Sequence, residues 1–117
     1  MRGKPWGPND RTGGVVDDVL DSVRAAVPGL IVERLEPSYP GDDDNVYFLA
    51  DGLNDDFVQM DTNPRGEPPF VIDTSDPSDG RFETSGVAAA SARVVDWFVR
   101  RRPELHLSDP AKARPKG

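Results

Sequence analysis

The chain has 117 residues, of which 36% are hydrophobic, with 12 prolines, 11 glycines, no cysteine and a formal net charge of −7. That length supports a single core and not two, and the missing cysteines exclude a disulfide framework, thiolate chemistry and sulfur-bound zinc. No run approaches the ~20 apolar residues of a membrane-spanning helix, and an acidic body has the wrong sign for phosphate, so neither a membrane nor a nucleic acid is the expected partner.

The charge is segregated. From Arg100 onward six Lys or Arg stand against two acids, a net +4, which leaves eight bases against nineteen acids, −11, in residues 1–99. Between Glu36 and Asp61 there are eight acids and no base. The basic end reads as a solubilising tail.

Residues 1–14 hold Gly3, Pro5, Gly7, Pro8, Gly13 and Gly14, the composition of a flexible arm, with Trp6 as its one aromatic residue. No apolar segment follows Arg2 and Lys4, so no signal peptide is expected and cytoplasmic residence is the default. In "VVDDVLDSVRAAV" the residues Val15, Val19, Val23 and Val27, flanked by Val16 and Leu20, make one apolar helical stripe. Asp17 and Asp18 suit its first turn and Pro28-Gly29 stops it. Strands are then expected at Leu30–Glu36, Asn45–Ala50, Phe57–Thr62 and Phe70–Thr74, with "RFET" as a short edge strand. Asp51-Gly52 marks a turn between two of them.

A second helix starts at Thr84 or Ser85, either of which can cap it, and runs to the arginines before Pro103. Val87, Ala90, Val94, Val95 and Phe98 form its buried stripe, with Trp97 at the border. Residues 103–117 read as a disordered basic tail. The expected architecture is therefore α+β: one domain over 15–102, an antiparallel meander of four to five strands, and an N-terminal and a C-terminal helix packed on one face.

Period-two alternation turns Val46, Phe48, Ala50, Val58, Met60, Phe70 and Ile72 to the core and leaves Tyr47, Leu49, Phe57, Gln59, Asp61, Val71 and Asp73 outside. With these faces matched, Asp61 lies beside Tyr47 and Val71, Gln59 lies beside Leu49 and Asp73, and the two aspartates are diagonal neighbours. The set depends on register, because a slip of one residue turns every side chain over. Asp42, Asp43 and Asp44 in "PGDDDN" rim the same end of the sheet and extend its negative field.

Asp61 and Asp73 could act as general acid and base only inside a pocket that desolvates one of them, and polar strand residues facing water are the simpler account. His106, the lone imidazole, falls in the tail. No nucleophile elbow, Walker loop or dinucleotide fingerprint is present. The acidic turns offer hard oxygens, but Gly41, Gly52 and Gly80 all lack the glutamate six residues later that a calcium loop uses, so neither a metal nor a cofactor is called for. An acidic face with Tyr47, Leu49 and Phe57 as anchors suits a basic protein partner, and would equally serve a homodimer. The contrasting reading is a small-molecule-binding or enzymatic α+β domain using carboxylates on or beside the sheet.

The succession "DNVYFL", "DDFVQMDT", "PPFVID" and "RFETSGV" before "VVDWF" resembles small actinobacterial α+β proteins of uncharacterised function, over roughly Val15 to Arg102. Some small acidic proteins of that sort are immunity proteins of polymorphic toxins. The resemblance implies a stoichiometric inhibitor whose acidic face occludes a basic toxin, and no functional residue is carried over from it.

Overall fold

The computed structural model describes residues 3–35, 45–52 and 56–101. Along the chain come β1 (Lys4–Pro5), α1 (Val16–Ala26), β2 (Ile31–Arg34), β3 (Val46–Ala50), β4 (Val58–Asn63), β5 (Glu67–Thr74), β6 (Phe82–Thr84) and α2 (Val87–Arg101). The strands form one six-stranded antiparallel sheet in the order β1-β2-β3-β4-β5-β6, each paired with the next strand in sequence. The fold is α+β. Among the described residues no helix is long and apolar enough to cross a membrane.

The sheet has six strands and not four or five because the N-terminal arm supplies an edge strand. Lys4 pairs with Arg34 and Pro5 with Glu33, and the Trp6 amide donates to the Val32 carbonyl at 2.9 Å. Proline is tolerated there because an edge strand need not donate on its outer side. Trp6 packs edge-on against Tyr47 with ring centroids 6.1 Å apart, and Arg24 of α1 donates to the Trp6 carbonyl. Burial lowers the pKa of that Arg24 guanidinium from its ordinary value. Within the segment 1–14, expected as a flexible arm, Lys4 and Pro5 thus form a strand and Trp6 packs on Tyr47. The tail at 103–117 lies outside the described residues.

Both helices feed one hydrophobic cluster. From α1 come Val16, Val19, Leu20 and Val23, followed by Val27, and from α2 come Ala90, Val94, Trp97 and Phe98. They meet Val32, Tyr47, Leu49, Val58, Met60, Phe70 and Ile72, which the pairings Val32↔Leu49, Tyr47↔Met60, Leu49↔Val58 and Met60↔Ile72 place on the same side of the sheet. Each fully buried side chain of this size contributes about 1.5–3 kcal/mol. Asp17 anchors the start of α1, accepting from the Thr12 amide and hydroxyl at 3.0 Å each and from the Gly13 amide at 3.0 Å.

The turn between β4 and β5, Pro64–Gly66, presses on this end of α1. A Cβ on Gly66, where φ is +74, would lie 2.3 Å from Val16 Cγ1. Gly29, after α1, also has a positive φ (+81), but nothing lies within 4 Å of its Cβ position. Gly66→Ala should therefore lose ~2 kcal/mol or more in urea unfolding, the left-handed strain adding to a core collision. Gly29→Ala should lose only the strain, about 1 kcal/mol. Equal losses would show that the turn is not seated on Val16.

Candidate partner-binding face

The side of the sheet turned away from the helices is built in rows fixed by the pairings. One row runs Glu33, Phe48, Gln59, Asp73, and a second runs Val46, Asp61, Val71, Glu83. Ile31 lies beside Ala50 in a third. Phe57, just ahead of β4, sets its ring edge-on to Phe48 at 5.8 Å and 77°. Most of these residues are half-buried, and Ile31 is 46% exposed. Among the described residues no helix packs on this side, since α1 and α2 both bury into the opposite one.

Of the outward residues expected from sequence, Phe57, Gln59, Asp61, Val71 and Asp73 do share this face, and the register Asp61↔Val71, Gln59↔Asp73 makes the two aspartates diagonal neighbours. Tyr47 and Leu49 do not belong to it. Both are 0% exposed in the core, while Val46, Phe48 and Ala50 take the outer positions. The cause is a one-residue difference in the β3–β4 register, which pairs Tyr47 with Met60 and not with Asp61. Asp42, Asp43 and Asp44 lie outside the described residues, as does His106.

A polar contact lies on the same side of the sheet as Tyr47. Arg34, its cross-strand partner, points toward the helices with its guanidinium 5.2 Å from the Trp6 ring and 5.9 Å from the Tyr47 ring, and donates to Asn45 Oδ1 at 3.1 Å. Asn45 is 3% exposed. A polar residue at the head of β3 normally argues that its parity faces water, so it concealed Phe48. The useful signal was an inward Arg34 needing an acceptor across the strand pair.

The carboxylates on the open face are modestly engaged. Gln59 Nε2 donates to Asp61 Oδ1 at 3.0 Å, and the largely exposed Arg81 approaches Asp73 at 3.3 Å. Beside them an open depression of about 350 Å³ is lined by Asp73, Thr74, Asp76, Gly80 and Arg81. The Ser78 hydroxyl and amide hydrogen bonds hold the Asp76 carboxyl below its ordinary pKa, with Arg101 helping.

Behind that rim lies a structural latch. Asp79, only 12% exposed, accepts from the Thr74 hydroxyl at 2.6 Å and from Trp97 Nε1 at 3.1 Å, while Arg93 donates to its backbone carbonyl at 3.0 Å. Arg101 lies 3.7 Å from the same carboxylate and stacks 4.1 Å from the centroid of Trp97. This draws Trp97 fully into the core and not to the border of the α2 stripe. The side-chain hydrogen bonds from Thr74 and Trp97 both fall on Asp79 Oδ2, and Arg100 lies 3.9 Å from Oδ1. Among the described residues no group of three or more His, Cys, Asp or Glu is placed to hold a metal ion.

Neither a protein-family model, nor a curated protein, nor a solved structure matches this chain. The face therefore stands on its own geometry. Asp79→Ala should strand the buried Trp97 N–H and destabilise the fold by about 2 kcal/mol, with a red shift of indole fluorescence. Asp96→Ala, which removes an exposed pair to Arg100, should stay within about 0.5 kcal/mol. Similar urea midpoints for the two variants would contradict the latch.

Proposed function

We propose that the chain is a small acidic, non-catalytic protein-binding module whose open sheet face docks a basic protein. The observation that carries this reading is the Phe48–Phe57 ring pair on the side of the sheet turned away from α1 and α2, alongside Asp61 and Asp73. Rings of this size become binding anchors once a partner excludes water from them. Surrounding carboxylates raise the encounter rate with a cationic surface and fix its orientation. Enzymatic use of Asp61 and Asp73 has less support, because both retain solvent contact and the depression that Asp73 lines is open.

The finer form of the reading is an immunity-type inhibitor, in which the face lies over the basic active site of a toxin and takes the place of its anionic substrate. The resemblance noted in the sequence and the −11 body support it. Affinity capture from the native host should recover a basic partner with the wild-type chain. Phe48→Ser and the double variant Asp61→Lys, Asp73→Lys should each lose that partner, with binding weakened about thirty-fold or more, while thermal melts confirm the fold. A partner retained equally by both variants would remove this face from the function.

A further inference from the structure

The open face is divided along a line parallel to the strands. On the β2–β3 side lie Ile31, Val46, Phe48 and Ala50, with Phe57 leaning against Phe48. On the β4–β6 side lie Asp61, Asp73 and Glu83, with Gln59 and Val71 between them. Glu33 is the exception on the apolar half. Random mixing of acids and apolar residues would suit any cationic surface. Segregation by strand suits a ligand that is itself two-sided.

From this we infer that the face takes a basic amphipathic helix of its partner, laid along the strands with its apolar stripe over β3 and its Lys and Arg over β4 to β6. The inference rests on the docking role proposed above and names the element that docks. Strands lie ~4.8 Å apart, so the centres of the two halves are separated by about 12 Å, the diameter of one helix with its side chains. Same-face residues on a strand repeat every ~6.8 Å, close to the ~6 Å rise between helical positions i and i+4. A strand the length of β3, 5 residues, matches about 11 helical residues. An added β-strand would instead use backbone hydrogen bonds at a sheet edge and has no need of a ring pair in mid-face. A second copy of the chain, itself at −7, would set Asp61, Asp73 and Glu83 either against the same acids or over the apolar half, and in neither case against a cation.

The test uses the full-length protein and three fluorescein-labelled probes, read by anisotropy near physiological salt. The first is a capped peptide of about 14 residues built of Leu, Ala and Arg, with leucines at i, i+3, i+4 and i+7 and the arginines along one flank. The second has the same composition scrambled to destroy the period, and the third is an arginine-only peptide. The amphipathic probe should bind at least about tenfold more tightly than either control and gain helical circular dichroism on binding. Phe48→Ser should remove that advantage, and Asp61→Asn with Asp73→Asn should flatten its salt dependence. Controls that bind as well as the amphipathic probe, or no binding by any of the three, would overturn the helix. Capture of a native basic partner through the Phe48 and Asp61 face would in that case still stand, so the two readings fail separately.

Discussion

A guanidinium cannot be turned toward a protein core without partners, and Arg34 is turned that way, on the same side of β2 as the buried Val32. Arg34 is half-buried there, so hydrogen bonds and ring faces replace part of its solvent. Asn45 Oδ1 supplies one bond, and the rings of Trp6 and Tyr47 bracket the cation at 5.2 and 5.9 Å. A desolvated cation–π contact contributes up to ~2 kcal/mol. These partners come from the arm and from β3, so one side chain ties three distant segments together. Once Tyr47 is committed inward, period two sends Leu49 inward and Phe48 outward. The composition of the open face follows from a contact made on the other side of the sheet.

That dependence explains which parts of the molecule were legible in its sequence. The stripe of α1 and the alternation of Val58, Met60, Phe70 and Ile72 carry their own answer, because polar neighbours exclude the other orientation. β3 carries none. Burying Val46, Phe48 and Ala50 or burying Tyr47 and Leu49 removes comparable apolar area, and the two options differ by no more than ~1–2 kcal/mol. Hydrophobicity could not choose between them. Asp61, Val71, Gln59 and Asp73 were placed correctly because the β4–β5 register follows from residues that alternate cleanly. The arm was illegible for a related reason. Its seat is made by Val32, Arg24 and Tyr47, so nothing local to Lys4, Pro5 and Trp6 marks a strand.

The acids divide into two populations with different work. Asp17 and Asp79 are consumed by local donors, one at the start of α1 and the other between the Thr74–Gly80 turn and Trp97. Asp61 and Glu83 remain on the solvent side, while Asp73 is offset by Arg81, which is 70% exposed and free to swing away. A surface ion pair of that kind is worth under ~1 kcal/mol. A stronger cationic partner could displace it at small cost. Acid patterning alone does not distinguish the two populations. The distinction comes from the elements packed around each carboxylate.

A recognition surface gains affinity when its conformational cost is met before the partner arrives. Here the ring pair sits on β3 and at the head of β4, central strands whose opposite sides are occupied by the fully buried Tyr47, Leu49, Val58 and Met60. Rotation of either strand would expose that core, so the outer side chains are held by the inner ones. At one margin β1 is pinned through Trp6 and Arg24, and one strand in from the opposite edge strand β6 the Asp79 latch ties the end of β5 to α2. Sheet twist is thereby restrained from both edges. The interior and the margins hold the face in shape, whatever the charge and size of its outer residues.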